Sequence, residues 1–229
     1  MQLIMIPSLK SQLCLRDHPG INVNWKEDQR WTPLHGVSVN GHHEIVKLLL
    51  AHPAINVNSK TRTGDTPFLF ACLYGRVSVV RELLKDPRVD ITLADNKQCT
   101  PLWWASWNGH HEVIECLIAS GRDLGDIENQ KGKHWDGKNY SALEIARRNR
   151  KTEVVSLLER FIANPAQTRR EVRAKLGVLD ELAAEVFALT VFLCDDLLQL
   201  NPASHLAAMH LLLPFASLTL LRGCPWNCR

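Results

Sequence analysis

Apolar residues in this chain gather in short bursts at helical spacing, separated by polar breaks marked with proline or glycine. Ile45, Leu48 and Leu49 line one side of EIVKLLL, and Val79, Leu83 and Leu84 do the same in VSVVRELL. Steps of 3 and 4 predict amphipathic helices, each needing a neighbour to cover its apolar stripe. Ahead of each burst lies a shorter stretch whose apolar residue, Leu34, Phe68 or Leu102, belongs in the same core.

The breaks are periodic. NGHHEIVKLLL at 40–50 returns as NGHHEVIECLI at 108–118, and LYGRVSVVRELL at 73–84 places Gly75 midway between Gly41 and Gly109. Thr32, Thr66 and Thr100 share the spacing of 34 and each precedes a proline, Pro33, Pro67 or Pro101; HPGINVN, HPAINVN and DPRVDIT keep the same register. Agreement at several offsets within one period identifies a repeat protein. Threonine caps a helix start, proline tolerates the first helical turn, and glycine takes the left-handed conformation that ends a helix. Two short helices cannot bury their apolar stripe alone, so the units must stack.

TPLHGVSVNGHHEIVKLLL, 32–50, resembles the ankyrin repeat family nearly throughout, and the likeness extends over about residues 14–163. It implies an all-α solenoid of stacked helix pairs with β-turn loops and a C-terminal helical extension, whose usual role is protein binding. Four units are expected within 32–163, starting near 32, 66, 100 and 141. The fourth departs from the pattern, with Ser141 and Ala142 for Thr-Pro and Arg150 for the glycine, after about seven extra residues in 123–139. Residues 1–31 read as a degenerate or truncated first unit or cap. Residues 164–200 form a helical extension, with Leu176, Leu179, Leu182, Val186, Leu189, Leu193 and Leu197 mostly at steps of 3 and 4 and Gly177 as a candidate break. The apolar tail, 201–229, reads as a hydrophobic cap or a poorly ordered end.

The paired histidines first suggest metal. Neighbouring helical residues point about 100° apart and the HExxH spacing is missing, so His42, His43 and Glu44, or His110, His111 and Glu112, do not converge. By resemblance His42 and His110 instead tie adjacent loops, while His43 and His111 are expected to be exposed. Cys224 and Cys228 lack two further zinc ligands in any clear arrangement. No nucleophile elbow, phosphate loop, dinucleotide fingerprint or kinase signature is present, and Cys72 and Cys116 read as core. A non-catalytic chain with no cofactor is expected.

The resemblance assigns the side chains four, seven and eight positions after the repeat threonine to a concave groove. These are Gly36, Val39 and Asn40; Phe70, Leu73 and Tyr74; Trp104, Trp107 and Asn108; and Ile145, Arg148 and Asn149. Phe70, Leu73, Tyr74, Trp104, Trp107, Asn108 and Arg148 are the protein-binding candidates, because clustered aromatic surface marks interaction sites. The alternative is that the C-terminal region folds back over them. Lys26, Arg30, Arg62, Lys97 and Gln98 form a mildly basic fringe at the turn tips, and Trp31 either joins the aromatic surface or shields the end of the array.

Composition narrows the partner. Basic residues number 27 against 24 acidic, a net charge of +3, which gives no case for specific nucleic acid binding. MQLIMIPSLKSQL lacks the basic start and cleavage site of a secretory leader, and the apolar stretch at 206–221 is too short, with His210 and Pro214 inside it, to span a membrane. Seven scattered cysteines without a CxxC pair suit a reducing compartment, cytoplasmic or nuclear. The expected function is a scaffold that binds another protein. Its alternatives are an adaptor recruiting machinery such as a ubiquitin ligase through its C-terminal helices, self-association through that helix, or an enzyme whose catalytic domain is the C-terminus.

Overall fold

The computed structural model describes residues 22–177. Four helix pairs follow one another: α1 (Pro33–Asn40) with α2 (His43–Leu50), α3 (Pro67–Leu73) with α4 (Val77–Lys85), α5 (Pro101–Asn108) with α6 (His111–Ser120), and α7 (Ala142–Arg148) with α8 (Thr152–Ala163). The inner helices α1, α3, α5 and α7 stack in order, and so do the outer helices α2, α4, α6 and α8. Leu34, Phe68 and Leu102 are buried between them, with Leu83, Ile114, Leu117, Leu157 and Leu158 on the outer layer. Of the expected outer stripe Leu49, Val79 and Leu83 are buried, but so are Val46 and Val80 outside it, whereas Ile45, Leu48 and Leu84 are half-buried. Each outer helix is covered both by its own inner helix and by its outer neighbours, which rotates the buried face.

The inner helices start as their sequences require. Thr66 Oγ1 accepts from Leu69 N–H (3.1 Å) and Thr100 Oγ1 from Trp103 N–H (3.2 Å). At Ser141 a reciprocal pair forms, Glu144 N–H to Ser141 Oγ and Ser141 N–H to Glu144 Oε2. In the first unit His35 takes the glutamate's place: its Nδ1 accepts from Thr32 N–H (3.0 Å), and its Nε2 lies 3.2 Å from the Asp65 carbonyl. Nδ1 is therefore the unprotonated nitrogen and Nε2–H the donor. Burial pushes the His35 pKa down to about 4, against the raising effect of the Asp65 and Ser59 backbone, and the ring is neutral.

The junction between paired helices also joins successive units. Gly41 and Gly75 have φ of 83° and 66°, and the residue that opens the next unit's outer helix crosses directly over each. A Cβ on Gly41 would meet Arg76 Cδ at 3.2 Å, and one on Gly75 would meet the His110 ring at 2.6 Å. From there Arg76 Nε donates to Val39 O (2.7 Å), and His110 Nε2 lies 3.0 Å from Leu73 O. On the opposite side, asparagines stitch the loops: Asn24 spans to Ala54 and Asn56, and Asn58 to Arg88 and Asp90.

The fourth unit, the last helix pair among the described residues, carries a more polar outer face. Ser106, Ile114 and Ile118 of the third unit are fully buried; the matching positions of the fourth carry Arg147, Val155 and Glu159, with Arg147 and Glu159 paired at 2.7 Å. Beyond it, α9 (Pro165–Leu176) is capped by Asn164, whose Oδ1 accepts from Gln167 N–H. It places Arg169 Nε 3.3 Å from Ile118 O and Arg173 Nε 2.7 Å from Ala119 O, two cations on the terminal carbonyls of α6. The helix ends before Gly177, which has φ of 72°. The rest of the expected extension, the tail with Cys224 and Cys228, and residues 1–21 lie outside the described residues.

Candidate functional site

The inner-helix face runs in two aromatic groups. In the first, the Trp31 ring lies 4.8 Å from that of Phe70, with His35 5.8 Å and Tyr74 6.3 Å from the same ring. Phe70 is only 6% exposed, so it holds its neighbours in place and offers little surface of its own, contrary to the expectation of an open groove residue. Leu73 is half-buried and Tyr74 is 47% exposed. Asn108 Nδ2 donates to Leu73 O (2.8 Å), the carbonyl that also meets His110. Asn149 repeats this contact on Trp107 O (3.1 Å). The groove asparagines of units three and four thus join inner helices as well as lining them.

The second group surrounds Trp107. Trp104 and Trp107 stack at 5.4 Å and 23°, both against the buried Trp103. Trp104 Nε1 donates to Asp95 Oδ2 (3.1 Å), and Asp95 Oδ1 accepts from the N–H groups of Lys97 and Cys99. A buried carboxylate therefore fixes both the turn and the indole. Ile145, assigned by the resemblance to the groove, is fully buried in the core with Cys99 and Trp103. The long Trp103 side chain reaches across to the fourth unit, where its Nε1 donates to Tyr140 O (2.9 Å).

The insertion before the fourth unit forms structure that its length alone did not announce. Strands β1 (Gly132–Lys133) and β2 (Asn139–Tyr140) pair antiparallel, with Gly137 at φ 83° in the turn between them. Gly132 passes so close to the third unit that a Cβ there would meet Cys99 Sγ at 2.6 Å. The hairpin sets His134 4.9 Å and Trp135 4.2 Å from the Trp107 ring. Trp107 is partly covered from within the repeat region, by this hairpin, while the C-terminal residues 178–229 of the alternative reading lie outside the described residues. Trp135 itself remains 76% exposed. The alternating polar and aromatic KHWDGKNY, with Asp-Gly at its centre, was the available signal.

Arg148 closes this corner: it donates to Tyr140 Oη (2.8 Å), lies 3.0 Å from Asp136 Oδ2, and stands over the Tyr140 ring. Burial opposes charge on Asp136, yet the Lys138 N–H, His134 and Tyr140 together outweigh it and hold its pKa at about 2.

The HHE tracts separate on structural grounds. His110 ties the loops of units two and three, whereas the carbonyl that His42 would reach by analogy lies among residues outside the described range. His43 meets Glu44 on the surface; His111, expected to be exposed, is largely covered and lies 3.7 Å from the buried Glu115. Among the described residues no three His, Cys, Asp or Glu side chains are grouped to hold a metal. Burial and the nearby Cys116 push the Cys72 thiol well up, and burial takes Cys99 to about 12, so neither supplies a thiolate at neutral pH. No helix among the described residues is long and apolar enough to cross a membrane.

A family model described as ankyrin repeats (3 copies) matches residues 8–95 and 53–131, together more than half of the chain. The fourth helix pair lies beyond that match yet stacks in the same manner. No curated protein matches the chain.

Proposed function

The chain belongs to the ankyrin repeat family, whose repeats generally mediate protein–protein interaction, and on that premise we propose that it is a non-catalytic scaffold binding a partner protein along its concave face. One observation carries the reading: between units two and three, the 47% exposed Tyr74 follows Leu73, whose carbonyl accepts from Asn108, and the half-exposed Trp104 and Trp107 lie on the same inner helix as Asn108. Those side chains are already fixed by hydrogen bonds and ring contacts, so little conformational freedom is lost when a partner meets them. Phe70 supports Tyr74 from below, and Arg148 extends the face toward the fourth unit. The mechanism is geometric and calls for no cofactor.

Trp104 and Trp107 are poor probes of binding, since each also packs against Trp103; truncating them removes stability together with surface. Tyr74 is the cleaner choice. A photo-crosslinking residue at Tyr74 should capture a partner from extract that the same residue at Glu153, on the outer helix, does not. Tyr74→Ala should weaken recovery of that partner at least about ten-fold, as loss of an interface aromatic anchor does, with unchanged thermal unfolding. Equal capture from both positions would remove the groove from consideration.

A further inference from the structure

We propose that Asn40 and Asn108 are sites of spontaneous deamidation through a cyclic imide, that Asn40 reacts in the folded array while a bond to unit two holds Asn108 back, and that reaction at Asn108 makes an opening of that bond permanent. The inference concerns the covalent state of the chain and stands whether or not a partner uses the groove.

NGHHE occurs at 40–44 and again at 108–112, and these hold the two Asn-Gly steps of the sequence. Glycine has no Cβ to obstruct approach at its nitrogen, so at such a step the glycine nitrogen can attack the side-chain carbonyl carbon of the asparagine before it. The new C–N bond closes a five-membered imide, the glycine nitrogen gives up its proton, and the side-chain nitrogen leaves as ammonia. Water then opens the ring at one of its two carbonyls, giving aspartate or isoaspartate. The net change is amide plus water to acid plus ammonia, with no oxidant or cofactor. Because the residues from asparagine to glutamate are the same in both copies, any difference in their reactivity comes from the fold around them.

Several features slow both copies alike. Gly41 N–H donates to Val37 O and Gly109 N–H to Ala105 O, each at 3.0 Å, and a side chain of the next unit crosses each glycine, Arg76 over Gly41 and Lys151 over Gly109. The asparagine amides separate them. Asn40 is exposed and its Nδ2 donates to Gly36 O (2.8 Å) inside α1, so fraying of the last turn releases the amide and the glycine N–H together. Asn108 is half-buried and its Nδ2 donates to Leu73 O (2.8 Å), 35 residues back in unit two. Here the last turn cannot open unless a bond to another unit breaks as well, and one such bond shifts the balance toward the closed form by about five-fold. The products differ in consequence too. At position 108 an ionised acid has no N–H to return to Leu73 O and sets a carboxylate against a carbonyl oxygen, while isoaspartate adds a methylene to the backbone ahead of Gly109. The tie between the inner helices of units two and three is then lost, and Leu73 O keeps its contact with the His110 ring.

The test ages the full chain at mildly alkaline pH, folded in buffer and, in parallel, unfolded in guanidinium chloride. Peptide maps prepared at acidic pH, where ring closure stops, measure amide-to-acid conversion at each asparagine by mass. In denaturant the two copies should convert at matching rates. In the folded chain Asn40 should convert at least about five-fold faster than Asn108, the protection that one added hydrogen bond supplies. The effect of the product is read separately, without waiting for the reaction: Asn108→Asp should lower the urea midpoint of the full chain further than Asn40→Asp. Equal rates in the folded chain, faster conversion at Asn108, conversion at neither copy, the same ratio of rates in denaturant as in buffer, or equal midpoints for the two variants would each overturn the proposal.

Discussion

At Gly75 two demands meet: a φ of 66° and the His110 ring, which would lie 2.6 Å from any Cβ placed there. The left-handed conformation alone costs an alanine about 1–2 kcal/mol, and the ring adds a steric penalty. Gly75→Ala should therefore lower unfolding free energy by roughly 2–3 kcal/mol in urea. Combining it with His110→Ala should recover the steric part and leave the backbone part, a difference readable from a double-mutant cycle. Arg150, in the matching place of the fourth unit, takes φ 55° without glycine, and among the described residues no outer helix of a further unit follows it. His35 behaves differently, through its proton. Folding lowers its pKa from 6.5 to about 4, so between those values the unfolded chain binds more protons. The resulting stabilisation is full above about pH 6.5 and declines as pH falls toward 4, by roughly 3 kcal/mol at the limit. Urea midpoints measured across that range should fall more steeply for the native chain than for His35→Gln.

At the scale of elements, the helix pairs were legible because their signals are local and repeated. Threonine, proline and glycine act within a turn of one another, and the period supplied independent copies of each. The fourth pair could be placed despite Arg150 because Ser141 and Glu144 still cap it. What escaped was contact between elements of unlike periodicity. The 123–139 insertion has no counterpart in the other units, so nothing in the repeat predicted that it would bring Trp135 onto Trp107. Ile145 failed for a related reason: a groove assignment carried from other units assumes an ordinary neighbour, whereas the large Trp103 ring draws this side chain into the core. The role of Arg76 was hidden by chemistry, since arginine there does the work that histidine does at position 110.

For the molecule as a whole, the last helix pair among the described residues differs from the one before it. Arg147 and Glu159, at places where the third unit has buried Ser106 and Ile118, leave a charged pair on its outer side. Replacing them together, Arg147→Ser with Glu159→Ile, should restore a stackable apolar end. Sedimentation velocity should then show stronger concentration-dependent association than that of the native chain, while an unchanged sedimentation coefficient would show that other residues terminate the array. The contacts of α9 also have a consequence in time. Most bonds between units join residues 30 to 42 positions apart, but Arg169 and Arg173 reach back 51 and 54 residues to the end of α6. On the ribosome the third unit is therefore synthesised whole before the arginines that complete the end of its outer helix, which belong to a segment some fifty residues younger.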